Sequence, residues 1–371
     1  MDRYRSDTVK QRSLRIAQIA PLYESLPPKL YGGTERIVHY LTEELVKQGH
    51  DVSLFASGDS ITTAKLIACV DEGLRLKRNC NDPLAYHIIQ LQKLNTCVHE
   101  FDILHFHTDY LHFPFSNTLK IPSVTTLHGR LDNPELQDVY NVFPYQNLIS
   151  ISQNQRLPIP QGNFIKTVYH GLPENLHHQG DGEGEYLAFL GRISPEKGVE
   201  RAIEIALATN TKLKIAAKID KADFAYYEKN IKLLLDHPLI EYIGEINEQQ
   251  KTTFLGKAKA LLFPIAWPEP FGLVMIEAMA CGTPVIAFQN GSVPEIMENN
   301  VTGFVVNSVA EAIDAVSRLK YLSRGGIRRV FERRFTAAHM AENYVNVYHS
   351  LIDDTFKNVP RSSIPILNKP A

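Results

Sequence analysis

Short apolar runs recur along this chain, each followed by a stretch whose apolar positions fall at helical spacing. "LRIAQIAP" (14–21) is an aliphatic run closed by proline and predicts a strand. "TERIVHYLTEELVKQGH" then places Ile37, Val38, Leu41 and Leu45 on one helical face, with Gly49 as the stop. "DVSLFAS", "FDILHFH", "PSVTTLHG", "NLISISQNQ" and "IKTVYHGL" predict further strands. After a polar, glycine-rich break at 173–185 ("PENLHHQGDGEGE") the pattern restarts. "YLAFLGRI", "LKIAAKI", "IEYIGEI", "ALLFPIA" and "PVIAF" read as strands. "GVERAIEIAL", "FAYYEKNIKLLLD", "NEQQKTTFLGKAK", residues 272–281 and "FTAAHMAENYVNVYHSLIDD" read as helices.

Strands alternating with helices imply parallel sheets joined by crossover connections. The expectation is an α/β chain of two doubly wound domains: 14–172, 184–335, and a terminal helix over 336–356. Ligands of such sheets sit at the carboxyl ends of the strands, so a cleft between the two halves is where chemistry is expected.

Composition narrows this little. The chain has 371 residues, 44% hydrophobic and 22% charged, with a formal net charge of −2. Nothing in that balance favours nucleic acid or an anionic membrane. Cys69, Cys80, Cys97 and Cys281 are scattered without a CxxC pair, which fits a reducing, cytoplasmic setting. No apolar run reaches the roughly 20 residues of a membrane span. "MDRYRSDTVKQRS" lacks the apolar centre of a secretory signal and reads as a polar tail, as does "KNVPRSSIPILNKPA".

The residue pattern with most chemical content is "FPIAWPEPFGLVMIEAMACGTPVIA" (263–287). Pro268 and Pro270 stiffen a turn around Glu269, and an apolar helix starts after Phe271 and Gly272. The first amides of a helix lack internal partners and, with the helix dipole, attract anions. A phosphate near the amides of Gly272, Leu273 and Val274 is therefore well placed. Glu277, one and a half turns in, suits ribose hydroxyls, and Glu269 suits sugar hydroxyls; the plain alternative is two solvated glutamates.

In "FLGRISPEKG" (189–198), Arg192 and Lys197 form a fork and a point charge fit for a diphosphate. Taken alone, the pair reads more readily as two solvated surface cations. In "YGGTER" (31–36) Gly32 and Gly33 allow close backbone approach, and in "TTLHGR" (125–130) His128 ends a strand facing the expected cleft. A structural histidine and an ordinary turn explain these two segments equally well. "HFHTD" carries His105, His107 and Asp109, the residue types of a metal site. With no third ligand identifiable, buried or capping polar groups are the preferred reading. "RGGIRRVFERRF" (324–335) is read as a solvated basic helix face.

These segments, in this order, resemble the GT-B retaining glycosyltransferases of family 4 (glycosyl transferases group 1), over about residues 14–345. "EPFGLVMIEAMACGTPVIA" and "GRISPEKG" carry the resemblance, and "VPEIMENNVTGFVV" matches the segment that follows them. The resemblance implies two Rossmann-like domains facing across a cleft. The N-terminal domain takes the acceptor, the C-terminal domain holds a nucleotide-sugar donor, and the last helix crosses back to the first domain. It implies donor-sugar contacts for Glu269 and His128, ribose contacts for Glu277, and a diphosphate clamp from Arg192 and Lys197. Gly32 and Gly33 fall on the phosphate side. Donor-binding positions are completed by Ile246 for the base and by Phe271, Gly272, Leu273 and Val274.

Two departures stand out. "VYHGLPEN" puts His170 and Gly171 where many members carry Asn-Gly-Val-Asp, and no Asp-x-Asp motif stands beside the donor site. The implied enzyme moves a hexose, UDP-glucose-like, to a hydroxyl acceptor. It does so with retention and without a metal or cofactor, the nucleotide-diphosphate sugar being a co-substrate. The acceptor is a small molecule, glycan or lipid-linked; peripheral membrane contact and oligomeric state stay open. A nucleotide-sugar 2-epimerase or a non-catalytic nucleotide-sugar-binding module of the same fold are the alternatives. An NAD oxidoreductase is disfavoured because neither half has a GxGxxG after its first strand.

Overall fold

Thirteen parallel strands form two sheets in this computed structural model, which describes residues 12–29, 32–78 and 80–357. Most of the polar N-terminal tail, Tyr31 and the tail from residue 358 lie outside the described residues. The first sheet contains β1 (Arg15–Ile19), β2 (Asp51–Ser57), β3 (Lys65–Val70), β4 (Ile103–Phe106), β5 (Ser123–Thr126), β6 (Leu148–Ser150) and β7 (Phe164–Thr167). Its order is β3-β2-β1-β4-β5-β6-β7. The second contains β8 (Tyr186–Arg192), β9 (Lys212–Lys218), β10 (Ile240–Gly244), β11 (Ala260–Phe263), β12 (Val285–Phe288) and β13 (Gly303–Val306), in the order β10-β9-β8-β11-β12-β13.

Both orders reverse beside the first strand of their half. That is the switch point at which doubly wound sheets open a crevice at their strand ends. The chain is thus an α/β protein of two Rossmann-like sheets, the GT-B arrangement. The central strands are aliphatic because both faces are covered: Ile16, Ala17 and Ile19 of β1, and Leu261 and Leu262 of β11, are buried.

The helices follow their apolar stripes. Gly33–Lys47 buries Ile37, Val38, Leu41 and Leu45 and stops before Gly49, whose φ is 90°. Glu248–Lys257 starts on a capping box: the Asn247 side chain accepts from the Gln250 amide while Gln250 reaches back to Asn247. Several elements escaped the sequence pattern, among them β13 and the helices Glu135–Val142 and Val309–Arg318; two show why. The edge strand β3 is only partly buried and has no clean alternation. The helix Pro83–Cys97 has exposed Leu84, Ile88 and Ile89 blurring its stripe.

Two expectations are corrected. "FAYYEKNIKLLLD" is not one helix but a helical turn (Phe224–Tyr226), a π turn (Tyr227–Ile231) and a 3-10 turn (Lys232–Asp236). Of its aliphatic side chains only Ile231 is buried, so no continuous apolar face exists to hold a regular helix. The basic helix Arg324–Arg334 is not a solvated face either. Arg324 donates to the carbonyls of Gly180, Gly256 and Ala258, and Arg328 to those of Glu174, His177 and Ala280. Arg334 caps Glu295 and Ile296. These guanidiniums satisfy orphan carbonyls at helix ends and along the 173–185 segment, replacing water where the backbone is covered.

The chain passes between its halves twice, side by side. Leu172 and Phe335–Ala337 exchange backbone hydrogen bonds at 2.9 and 2.7 Å. The last helix, Ala337–Lys357, then lies against the first sheet and the Gly33–Lys47 helix. Its Tyr344 and Tyr348 are fully buried there. Among the described residues no helix is long and apolar enough to cross a membrane.

Candidate active site

A cleft of about 480 Å³ opens between the strand ends of the two sheets. Every residue singled out from the sequence for donor handling lines it: Gly32, Gly33 and His128 from the first half; Arg192, Lys197, Ile246, Glu269, Phe271, Gly272, Leu273, Val274 and Glu277 from the second. Arg192 ends β8, Ile246 follows β10, Glu269 follows β11 and His128 follows β5. Parallel strands present these loops in one place, which is why residues far apart in sequence converge.

The Glu269 turn is built from behind. Gly291, at φ 56°, lies so close that a Cβ would stand 2.3 Å from the Glu269 nitrogen. Ser292 donates its amide to the Glu269 carbonyl at 2.9 Å and its hydroxyl to the Phe271 carbonyl at 2.8 Å. Gly272 is left-handed (φ 79°) and opens the Leu273–Ala280 helix, whose start has no side-chain cap. Those amides are left for a ligand. Phe271 differs from expectation. It is 2% exposed, and its ring packs against His170, Tyr169 and Phe335, so what it contributes to the cleft is packing.

Neither expected clamp cation stands open. Lys197 Nζ lies 2.5 Å from Glu269 Oε2, and the same oxygen accepts from Trp267 Nε1 at 3.0 Å. Arg192 pairs with Glu196 at 2.7 Å and with Asp220 and Asp223 at 3.5 Å. Each cation rests on the nearest carboxylates, because a part-buried charge without a partner is costly. Glu277, 1% exposed, receives Lys251 Nζ at 2.8 Å and Arg36 Nη1 at 3.4 Å on Oε1, while Oε2 is buried without a hydrogen-bond partner. Arg36 also pairs with Glu248 at 3.2 Å, so a helix of the first half reaches two carboxylates of the second.

Glu248, Glu277 and His177 offer atoms within 4.8 Å of one another, a spacing open to a metal ion. Lys251 and Arg36 already balance the two carboxylates there, so little uncompensated negative charge remains for a divalent cation. The Glu248 carboxyl is held down to about 2, against its burial, by His177 Nε2 at 3.3 Å and by the charges of Lys251 and Arg36.

The opposite wall is neutral. His128 Nε2 lies 2.9 Å from His107 Nδ1, His107 Nε2 lies 2.7 Å from Gln18 Oε1, and the His170 ring stacks on His128 at 5.3 Å. Burial holds His105, His107 and His170 well below the usual imidazole range and pushes His128 down to about 3. His105 and His107 therefore belong to a hydrogen-bond network, in line with the buried-polar reading of "HFHTD", while Asp109 stands exposed beyond them.

Four cleft residues were missed. Arg36 and Lys251 carry no local signal, since both sit in ordinary polar helix stretches. Trp267 is the chain's single tryptophan and stands two positions before Glu269, which could have marked it. His170 was visible only as a departure.

Comparison with known proteins agrees with this geometry. The family description "Glycosyl transferases group 1" matches residues 177–337, and "Glycosyltransferase Family 4" matches 31–157. An uncharacterised glycosyltransferase of Methanocaldococcus jannaschii is 24% identical, over 90% of this chain and 98% of its own. AviGT4, a glycosyltransferase involved in avilamycin A biosynthesis, superposes with a TM-score of 0.73 at 24% identity, over 92% of this chain and 98% of its own. Anabaena HepE, solved in complex with UDP-glucose, gives 0.69 at 19% identity, over 91% and 100%. Two sheets meeting at a cleft, the paired glutamates on one wall and family matches over both halves lead to one assignment: this chain belongs to the GT-B group 1 glycosyltransferases.

Proposed function

We propose that this glycosyltransferase takes a hexose from a nucleoside-diphosphate sugar, with UDP-glucose the first donor to test, and passes it to a hydroxyl acceptor with retention of configuration and without a metal ion. The observation that carries the reading is the shared wall of Glu269 and Glu277, with the uncapped Leu273–Ala280 helix start between them. Glu277 Oε2, buried and without a partner, suits a ribose hydroxyl, which donates where only an acceptor is present. The helix amides and Gly33 suit the diphosphate. The complex of HepE with UDP-glucose supports the choice of donor.

In this reading the diphosphate competes with carboxylates for the two cations. Lys197 turns from Glu269 toward the leaving phosphate, and Glu269 is freed to accept sugar hydroxyls. The acceptor hydroxyl attacks the anomeric carbon on the face from which the diphosphate departs. Its proton passes to the leaving phosphate oxygen. Charge grows on that oxygen as the glycosidic bond breaks, and Lys197, Arg192 and the helix amides are preorganised to meet it.

The test is a panel of nucleotide sugars, read as released nucleoside diphosphate in the presence of a chelator, with mass spectrometry of products. UDP-glucose should be hydrolysed slowly, or transferred when an acceptor is found, at a rate the chelator leaves unchanged. Strict dependence on a divalent ion overturns the metal-free mechanism. Recovery of an epimerised donor overturns transfer.

A further inference from the structure

Glu295 joins the two halves of the molecule behind the cleft. It stands in the short helix Val293–Ile296, which follows β12 in the second half. Its Oε1 accepts the Asn154 amide at 2.7 Å, and its Oε2 accepts the Gln153 amide at 2.7 Å and the Tyr169 hydroxyl at 3.2 Å. All three donors belong to the first half. An ionised carboxylate only accepts and a backbone N–H only donates, so the match is complete, and the charge strengthens each bond. Arg334, beside the second crossing of the chain, donates to the Glu295 carbonyl at 2.7 Å and holds the same residue from its other end.

Each end of this clasp runs on to one wall of the cleft. On the first-half side the next residue is Gln155, 5% exposed. Its side chain donates to the carbonyls of Leu127 and Gly129, the two that flank His128, at 2.9 and 2.8 Å, and it accepts the Ile151 amide at 2.9 Å. The Ser152 hydroxyl closes the turn by accepting the Gln155 amide at 3.0 Å. On the second-half side the Glu295 amide returns to the Ser292 carbonyl at 2.9 Å. Ser292, 0% exposed, is the residue whose amide and hydroxyl hold the carbonyls of Glu269 and Phe271. Backbone beside His128 and backbone beside Glu269 are thus tied to each other through Gln155, Glu295 and Ser292. A polar network with every member satisfied is stiff. The ion pairs of Arg36 with Glu248 and Glu277 also cross between the halves, but through long side chains.

We propose that Glu295 is a positioning residue: its carboxylate joins the two turns into a strut that fixes the spacing between the wall carrying His128 and the wall carrying Glu269. The proposal rests on the glycosyltransferase reading above for its kinetic consequence, but not for the spacing itself. Glu277, Lys197 and the Leu273–Ala280 helix start, which that reading gives to the nucleotide, all belong to the second half, and the strut does not pass through them. Nucleotide binding therefore survives loss of the strut. Transfer needs both walls at once, and a misplacement of about 1 Å can cost a reaction about 100-fold.

The experiment uses the full chain and its single tryptophan. Trp267 Nε1 donates to Glu269 at 3.0 Å, and the Arg130 guanidinium of the first half lies 5.6 Å from the ring centre, so Trp267 emission reports the spacing of the walls without any ligand. Glu295→Gln keeps the volume but turns an NH₂ group toward one of the two backbone amides. In the donor-free protein it should shift Trp267 emission to the red and make the ring more open to acrylamide quenching. It should lower kcat for UDP-glucose about ten-fold or more, with UDP affinity by calorimetry within about three-fold of the wild type. Glu295→Asp keeps the charge and withdraws the oxygens by one methylene. It should move emission and kcat in the same direction by less, and it takes the place of Glu295→Gln if that variant does not fold. Ser292→Ala combined with Glu295→Gln should lose little more kcat than the worse single variant, because both break one strut. Unchanged emission and quenching in a folded Glu295 variant overturn the strut. A loss of UDP affinity as large as the loss of kcat, or losses that multiply in the double variant, overturn the positioning role. If no nucleotide sugar is turned over, the proposed function fails, while Trp267 emission still decides the strut.

Discussion

The two walls of the cleft are built on opposite electrostatic plans. The wall from the second half holds charge: Lys197 on Glu269, Lys251 and Arg36 on Glu277, Arg192 among three carboxylates. The wall from the first half holds histidines kept neutral by burial and tied to one another, to Gln18 and to two tyrosines. A charged wall can exchange partners, because an incoming diphosphate offers Lys197 what Glu269 offered before. A neutral wall tied into the sheet cannot exchange anything without breaking several buried bonds. The difference suggests a division of labour, with leaving-group charge handled by the second wall and sugar orientation by the first.

The sharpest way to break this contrast is Lys197→Ala. Removing one preorganised donor to developing charge typically costs about 100-fold in kcat or more. Lys197→Ala should lose at least that in nucleoside-diphosphate release, with UDP affinity changed much less. A loss below ten-fold would mean that the charged wall binds but does not catalyse.

Next in size is the Lys251–Glu277 pair, with side chains 9% and 2% exposed. Removing Lys251 leaves Glu277 only the longer Arg36 contact at 3.4 Å, and losing the nearer partner of a buried pair costs about 3 kcal/mol. Lys251→Met should therefore lower unfolding free energy in urea by about that amount. Adding Glu277→Met should recover most of it, since an apolar pair of similar volume replaces the ionic one. The double variant should still fail to bind UDP by calorimetry. Recovery of binding together with stability would remove Glu277 from the ribose site.

How much of this was legible in advance follows from the same contrast. Most of the strands, both sheets and the Glu269–Glu277 turn could be read because aliphatic runs, prolines and glycines encode them locally; the edge strands β3 and β13 were not read. Partnerships could not. That Lys197 rests on Glu269, or that Arg36 crosses to Glu277, depends on which loops the sheet order brings together. The basic helix was misread for the same reason: Arg324, Arg328 and Arg334 look like surface charge until the carbonyls they cap are known. The edge strand β3 was missed because an exposed edge relaxes the alternation that marks a half-buried strand.

The walls should also separate by pH. Burial holds His112 down to about 3, stacked on Phe106 and bonded to Ser116 and Thr125. A group with a lowered folded value takes up a proton first in the unfolded chain. Its stabilising effect is thus complete above the ordinary histidine value of 6.5 and is lost as pH falls below it. Each such histidine contributes a slope of about 1.4 kcal/mol per pH unit. His112→Gln should reduce the fall in stability between pH 6 and pH 4 by about 2.5 kcal/mol, one histidine's slope over two pH units, measured by urea unfolding. Glu248, held to about 2 from 4.5, gives way only below 4.5. An unchanged slope in His112→Gln would mean that water reaches this ring.

The smallest expected effect tests what the charged wall stands on. Glu248 and Lys251 sit in the first turn of a helix whose start is tied by Asn247 and Gln250, with bonds of 3.0 and 2.9 Å. The histidines of the other wall ride on strand ends and need no such cap. Asn247→Ala leaves the Gln250 amide without its side-chain partner and costs about 1 kcal/mol. The same helix is also held further on, by burial of Phe254 and Leu255 and by the Thr283 hydroxyl on the Leu255 carbonyl at 2.8 Å. Loss of the cap should therefore fray the first turn without displacing the helix. Stability should fall by about that 1 kcal/mol, and UDP affinity by less than about three-fold. Gln250→Ala should behave alike, since it removes the reciprocal half of the box. A ten-fold loss of affinity in either variant would show that Lys251 holds Glu277 only while the cap fixes its register, and that the charged wall is as dependent on its scaffold as the neutral one.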